Sequence, residues 1–332
     1  MGAEKPCVLV TGGAGYIGGQ TVLCLLDYGF EVCVLDDLST GRRLPMHDAT
    51  HFYEGKVQNK ALVEDIIKRH DVGAVLHFAG SIKVDESVSN PLKYYSNNTD
   101  ASRLLLEAVV GSGVNVFIFS STAAVYGATG ESPVDEDWPA SPLNPYGWSK
   151  LFTERQLMDV AAASNLKYGI FRYFNVAGAD TQLRHGQYLE RPAHLIGRAI
   201  DALLGNADPI TVFGNNLPTH DGTGVRDYIH VCDVADAHVA LLKYLLAEET
   251  ESRLFNLGYG RGYSVLDVFD NLLSISGLPV PYSWGAPRAG EAPSVIANSD
   301  ALKVELGWCP KHDDLTEIVK SAYDWQRSLL KK

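Results

Sequence analysis

The sequence predicts a doubly wound parallel α/β sheet with a smaller α/β second lobe, and three observations lead there. Short apolar runs alternate with amphipathic stretches through the first half. A glycine-rich turn, "TGGAGYIGG", joins the first run to the first helical pattern. After about Gly178 the alternation gives way to loops and scattered helical patterns. With 332 residues, 46% of them hydrophobic, the chain is long enough for a large core and two lobes. We expect a dinucleotide-binding domain over residues 1–178, with segments returning to it from about 225–250, and a substrate lobe over 179–332.

Taken in order, the expected strands are Cys7 to Val10, Val32 to Leu35, Ala74 to Phe78, Val116 to Phe119 and Tyr168 to Tyr173, each short, apolar and rich in β-branched or aromatic residues. Between them, Asn59 to Arg69 reads as a helix behind an Asn cap, with Leu62, Val63, Ile66 and Ile67 on one face. The proline-rich stretch "DWPASPLNP", residues 137–145, delivers the chain into a helix starting near Tyr146. Later helical patterns span Pro192 to Leu204, Val231 to Leu246, Val265 to Ser276 and Leu315 to Leu330.

The net charge of −12 argues against nucleic acid or an anionic membrane as a partner. No stretch approaches the roughly 18 apolar residues of a membrane span, and no leader-like run opens the chain, so a cytoplasmic protein is expected. Cys7, Cys24, Cys33, Cys232 and Cys309 form no CxxC or Cys/His cluster, and three of them lie in apolar runs. We expect reduced, buried thiols and no metal site.

Gly12, Gly15 and Gly18 sit between the first strand and the first helix. Glycines there permit a tight turn, let backbone amides approach a pyrophosphate, and place that charge at a helix N-terminus. This is the Rossmann arrangement. The second strand ends in Asp36 and Asp37, where a carboxylate accepts hydrogen bonds from ribose hydroxyls and repels a 2′-phosphate, which favours NAD. Arg42 and Arg43 nearby leave NADP as the alternative.

"NPYGWSK" sets Tyr146 and Lys150 four apart, hence on one helical face. The spacing alone is common, and its context carries the argument. An ammonium and a positive nicotinamide ring would together draw the phenol down from its reference pKa of about 10 and make Tyr146 a proton acceptor. Thr122, in "SSTAAVYG" after the fourth strand, is placed to share that proton.

Through "TGGAGYIG", "HFAG", "FIFSSTAAVYG", "NPYGWSK", "RYFNVAGA" and "DGTGVRDYIHV", from Val8 to about Trp325, the chain resembles the extended short-chain dehydrogenase/reductases, and among them the UDP-glucose 4-epimerase family. Related nucleotide-sugar dehydratases carry an Asp-Glu pair directly after the strand-end threonine, where this chain has Ala123 and Ala124. The resemblance implies oxidation at C4 of a UDP-sugar, turning of the 4-keto intermediate and re-reduction, with Tyr146, Lys150 and Thr122 catalytic. It also implies NAD contacts at Gly12, Gly15, Tyr16, Ile17, Gly18, Asp36, Asp37, Leu38, Ser39, Lys56, Val57, Phe78, Ala79, Gly80, Ile82, Asn97, Ser120, Tyr146, Lys150, Tyr173 and Phe174.

For the UDP-sugar the resemblance implies Thr122, Tyr146, Asn175, His194, Leu195, Thr211, Val212, Phe213, Arg226, Arg288, Glu291 and Val295, and for the assembly a homodimer. Two departures bear on NAD affinity: Lys56 where relatives place an Asp that holds the adenine amino group, and Ile82 where some carry a Lys, with Lys83 beside it as a candidate substitute. Val295 stands where some epimerases place a tyrosine, which leaves room for N-acetylated UDP-hexosamines. UDP-pentoses are a further alternative. A non-catalytic NAD-binding sensor and a net nucleotide-sugar oxidoreductase are the competing functions.

Overall fold

The computed structural model describes residues 5–129, 133–188, 194–286 and 292–330. Its strands are β1 Cys7–Thr11, β2 Val32–Asp36, β3 His51–Glu54, β4 Val72–His77, β5 Val116–Thr122, β6 Lys167–Tyr173, β7 Asn175–Ala177, β8 Ile210–Phe213, β9 Val225–Arg226, β10 Tyr228–His230, β11 Arg253–Leu257, β12 Tyr282–Gly285 and β13 Ser294–Val295. Its α-helices are α1 Tyr16–Asp27, α2 Lys60–His70, α3 Val84–Ser89, α4 Pro91–Tyr94, α5 Ala101–Gly111, α6 Pro145–Ala162, α7 Leu195–Leu203, α8 Val231–Leu246, α9 Val265–Ser276, α10 Asp300–Leu306 and α11 Leu315–Leu330.

Two compact units emerge, one of residues 1–127, 140–172 and 235–255, the other of 128–139, 173–234 and 256–332. The seven-stranded sheet has the order β11-β6-β5-β4-β1-β2-β3, and the pairs β1–β2, β1–β4, β2–β3 and β4–β5 are parallel. Strand order therefore reverses between β1 and β4, so Thr11 and His77 end at the point where open α/β sheets form a crevice. The core beneath is built from Leu9, Cys33, Leu35, Val75, Phe117 and Phe119, covered by Ile66, Leu105, Val109 and Leu157 from the helices. Because both faces of these strands are buried, their sequences read as continuous apolar runs rather than alternating ones.

Local chemistry sets the helix ends. The Asn59 side chain accepts from Leu62 N at 3.2 Å and starts α2, while Asn144 accepts from Gly147 N at 2.9 Å and, with Pro145 in the first turn, starts α6. The expected strand Ala74 to Phe78 runs instead from Val72 to His77, and Phe78 N makes the last rung to the neighbouring strand by donating to the Thr11 carbonyl at 3.0 Å. The expected helix Pro192 to Leu204 begins at Leu195 with His194 at its N-cap. Pro192 and Ala193 lie outside the described residues.

The second unit contains three two-stranded parallel pairs, β10–β7, β12–β8 and β13–β9. Of the cysteines, Cys7 and Cys33 are buried, but Cys24 and Cys232 are only partly so and Cys309 is exposed. Cys24 escapes full burial because α1 turns its thiol toward Asp236, whose Oδ1 lies 3.3 Å away.

Candidate active site

The glycine-rich turn is made by close backbone approach. Gly12 has φ +71°, and a Cβ there would meet Ala79 N at 2.6 Å; a Cβ on Gly18 would meet the Gly12 carbonyl at 2.3 Å. Larger residues at either place would push β1, α1 and the segment after β4 apart. No side chain caps α1 at Gly15, and its first turn holds no acid. The dipole and the amides of Ile17 and Gly18 are thus presented to an anion, which fits a dinucleotide pyrophosphate.

Asp36, the expected ribose partner, also has a part within the protein. Its Oδ2 accepts from Ala14 N at 2.9 Å and its Oδ1 from Leu38 N at 2.8 Å, so it ties the turn to the end of β2. Burial pushes its carboxyl up, and the two amides pull the other way. Asp37 accepts from Ser39 N at 3.0 Å and Ser39 Oγ at 2.6 Å in an exposed turn, while Leu38 adopts φ +54°. Val57 is buried, Tyr16, Ile17, Phe78, Ala79 and Gly80 are half-buried, and Lys56 and Ile82 are exposed.

Tyr146 and Lys150 lie on α6 and Ser120 and Thr122 at the end of β5, as the spacing predicts. The Thr122 hydroxyl reaches the Tyr146 phenol, and Thr122 Oγ1 accepts from Ala124 N at 3.1 Å, which leaves its proton for the phenol oxygen. Ala123 and Ala124 begin a short 3₁₀ turn. Burial raises the Tyr146 pKa and the Thr122 hydrogen bond opposes it, while the Lys150 ammonium donates to the Ser120 carbonyl, 2.9 Å away, and lies 4.9 Å from the centre of the Phe119 ring. Lys150 itself is lowered to about 8 by burial, with the Glu154 charge working against that.

Several residues that sequence reasoning passed over hold this group in place. His77 is fully enclosed, with Nδ1 2.6 Å from Thr11 Oγ1 and Nε2 2.8 Å from Ser102 Oγ, and burial lowers its pKa to about 3. Asn98 donates to Ser149 Oγ at 2.9 Å and to the Ser81 carbonyl at 3.0 Å, and accepts from Ser81 N at 2.7 Å, joining the segment after β4 to α6. Its neighbour Asn97, the expected cofactor residue, donates to Ser81 Oγ at 3.0 Å. Glu154 and Arg172 form a buried ion pair at 2.7 Å. The signal for Glu154 was its place four residues after Lys150, since a carboxylate on an inward stripe demands a buried partner.

In the second unit the expected UDP-sugar residues lie on short paired strands and one helix start. Asn175 N donates to the Asp227 carbonyl at 2.9 Å, and Tyr173 and Phe174 just before it are buried. Thr211, Val212 and Phe213 belong to β8, and Val295 pairs in register with Arg226. Arg226 Nη1 donates to the carbonyls of Val225 and Ala292, at 2.8 and 3.1 Å. The buried Asp227 carboxylate accepts from the amides of Tyr259 at 3.0 Å, Gly260 at 2.8 Å and Ala297 at 3.2 Å. His194 is exposed and Leu195 half-buried at the start of α7; Arg288 and Glu291 lie outside the described residues.

The fold also gathers His230, Cys232 and His312, three groups with metal-ligand chemistry whose ligand atoms lie within 4.8 Å of one another. Both ring nitrogens of His230 are engaged there, Nδ1 with Cys232 N at 3.1 Å and Nε2 with Ser321 Oγ at 3.0 Å, so the ring serves as a structural hydrogen-bonding centre.

Residues 8–258 match the NAD dependent epimerase/dehydratase family. The UDP-glucose 4-epimerase of Azospirillum brasilense is 49% identical over 327 residues, which cover 98% of this chain and 94% of that one. A structure of the UDP-glucose-4-epimerase from Stenotrophomonas maltophila, with bound NAD and formylated UDP-arabinopyranose, superposes with a TM-score of 0.94 at 35% identity over 98% of this chain and 99% of that one. The UDP-Glc/GlcNAc 4-epimerase of Campylobacter jejuni is 42% identical with a TM-score of 0.86, over 97% of this chain and 99% of that one.

Proposed function

The chain belongs to the NAD dependent epimerase/dehydratase family, and from that premise we propose that it interconverts UDP-glucose and UDP-galactose by NAD-dependent oxidation and re-reduction at C4. One observation carries the reading beyond the family. The phenol of Tyr146 has Thr122 as its hydrogen-bond partner, and the two residues after that threonine are alanines. Eliminating water or another group requires an additional acid or base. The neighbouring buried carboxylate, Glu154, is tied to Arg172 and Ser121 and is not free to move a proton.

In this reading Tyr146 accepts the proton of the sugar C4 hydroxyl through the hydrogen bond to Thr122, and the same phenol returns it. Lys150 contributes a buried positive charge that favours the phenolate. When bound, NAD supplies reversible two-electron oxidation of the C4 carbinol, and its nicotinamide charge adds to that of Lys150. The uncapped first turn of α1 holds the pyrophosphate, and the carboxylates of Asp36 and Asp37 suit ribose hydroxyls. Asn175, Phe213 and Arg226 grip the nucleotide end, so that the sugar can turn between its oxidation and its re-reduction while UDP stays fixed.

The test is to supply UDP-galactose to purified protein without added NADH and to look for UDP-glucose. A sensor yields none, and a net oxidoreductase consumes coenzyme in step with product.

A second reading, that N-acetylated UDP-hexosamines are also accepted, has two supports. Val295 is a small side chain at the pairing position of Arg226, and the similar Campylobacter jejuni protein is named for both sugars. Turnover of UDP-N-acetylglucosamine that Val295→Tyr suppresses selectively bears this out, and its absence from the wild type overturns it. For assembly, Trp148 and Phe152 on α6 expose 36% and 43% of their surface beside each other, 5.5 Å between ring centres, with Tyr95 6.1 Å from Phe152. A second copy of the chain is the occupant proposed for this aromatic face. Phe152→Glu then converts a dimer to a monomer in sedimentation. Among the described residues no helix is long and apolar enough to cross a membrane, and a cytoplasmic site of action is proposed with it.

A further inference from the structure

Tyr146, Lys150 and Glu154 follow at intervals of four along α6 and form one stripe. Each is joined to one of the last three residues of β5: Tyr146 to the Thr122 hydroxyl, Lys150 to the Ser120 carbonyl at 2.9 Å, and Glu154 Oε1 to the Ser121 hydroxyl, which donates to it. From this ladder we infer that Glu154 is a positioning residue of the reaction, tying α6 to the end of β5 and setting a buried negative charge one helical turn beyond Lys150, so that ammonium and phenol are held in their working places and charge state. The inference rests on the epimerase reading above.

Glu154 is 1% exposed and Arg172 6%. Enclosing a carboxylate this fully is costly without a partner, and the Arg172 fork supplies one, Nε at 3.1 Å and Nη2 at 2.7 Å. Arg172 in turn packs 4.8 Å from the centre of the Tyr126 ring. A buried ion pair is a poor device for stability alone, since well-packed apolar residues often do as well. Here the pair stands one turn from the reacting lysine and holds the strand end that carries Thr122.

The groups facing Lys150 are few among the described residues. β5 offers the Ser120 carbonyl and the Phe119 ring, α6 offers Glu154, with Tyr146 one turn away on the same stripe, and β4 offers His77, which is neutral at pH 7 because burial lowers it to about 3. Facing Glu154 are Ser121 and Arg172. Glu154 is therefore the anion that opposes the effect of burial on Lys150.

Replacing it by a neutral isostere removes that opposition, and the Arg172 charge, no longer balanced, acts in the same direction. Lys150 then loses its proton at lower pH, and Tyr146, deprived of the ammonium, yields its proton at higher pH. Glu154→Gln is expected to lower kcat about tenfold or more near neutral pH and leave KM for UDP-galactose nearly unchanged. The bell of kcat against pH should narrow from both sides by about one unit. Tyrosinate absorbance, read as the difference between each protein and its own Tyr146→Phe counterpart, shifts upward independently of turnover. Glu154→Asp, which keeps the charge on a shorter arm, retains both pH limbs.

A Glu154→Gln protein with wild-type kcat, or with reduced kcat and unmoved limbs and tyrosinate titration, overturns the inference. Should circular dichroism show that this variant does not fold, Ser121→Ala cuts the same rung without touching a charge. It is expected to reduce kcat at constant KM with both limbs in place, and wild-type kcat there overturns the positioning role. If the wild-type protein epimerises nothing, the functional reading fails, and the tyrosinate titration still decides the part played by Glu154.

Discussion

The end of the seven-stranded sheet and the short paired strands of the second unit present their candidate residues by different means. At the end of β5 and on α6 side chains hold side chains: Thr122 with Tyr146, Ser121 with Glu154, Asn98 with Ser149. In the second unit main chain holds main chain, as Asn175 N meets the Asp227 carbonyl and Arg226 N meets the Tyr263 carbonyl at 2.9 Å each, and one buried carboxylate collects three amides. A group that moves a proton must stand within hydrogen-bond reach and in the right charge state, which side-chain networks can tune. A surface that grips a nucleotide needs only the right shape and a few donors, which strands of two to four residues can supply.

That contrast can be broken by variants on each side. The largest effect belongs to Tyr146→Phe, which should lower kcat by about 100-fold to 10,000-fold with NAD still bound, measured by steady-state rates and by nucleotide released on denaturation. A variant keeping more than about a tenth of the wild-type rate would break the assignment of the base. Lys150→Met follows, with a large loss in kcat and a rise in the acidic kinetic pKa, because a cation near a phenolate favours the charged form and its removal does the opposite. An unmoved pH profile would sever Lys150 from Tyr146.

Asp227→Asn tests the other side. It leaves an amide facing backbone donors, so urea unfolding should show a loss of about 1 to 3 kcal/mol, and KM for the UDP-sugar should suffer more than kcat.

The two regions also carry opposite pH signatures. His77 has its folded pKa near 3, below the ordinary histidine value, so it contributes stability that is lost as pH falls below about 6.5. Burial raises Asp227 to about 6, so its contribution is full in acid and is lost as pH rises from the usual carboxylate range through about 6. Each slope is at most about 1.4 kcal/mol per pH unit. His77→Gln should flatten the first and Asp227→Asn the second, in melting temperatures followed from pH 4 to 7. The smallest effect is that of Lys56→Asp, expected to tighten NAD several-fold to about tenfold, the value of one hydrogen bond to the adenine amino group. Equal affinities in calorimetry would sink that account.

The same contrast explains what the sequence could tell. The strands of the large sheet are buried on both faces and capped by recognisable turns, so Cys7, Val32 and Val116 each open a strand where the apolar runs begin. The Tyr146 and Lys150 spacing, the Gly12 turn and the Asn59 cap were equally legible. What escaped was long-range. Nothing near Glu154 in sequence announces Arg172 or Ser121, and Asn98 bridges two segments that only the fold brings together. Strands such as Val225–Arg226 and Ser294–Val295 exist because each has the other beside it, which neither sequence reveals alone. Spacing and context likewise foresaw an ionisable lysine and tyrosine but not that the ammonium would turn to the Ser120 carbonyl.

Asp36 has a consequence for anyone who would redesign the coenzyme preference of this chain. The obvious route to a coenzyme bearing a 2′-phosphate is to replace the acid at the end of β2 with a neutral or basic residue. At Asp36 that change also releases the amides of Ala14 and Leu38, and with them the preorganised turn on which any pyrophosphate depends. Asp37 offers a separable handle, since its carboxylate restrains only Ser39 among the described contacts. A library that varies Asp37 and Ser39 while leaving Asp36 alone can alter the charge offered to the ribose with the phosphate cradle intact.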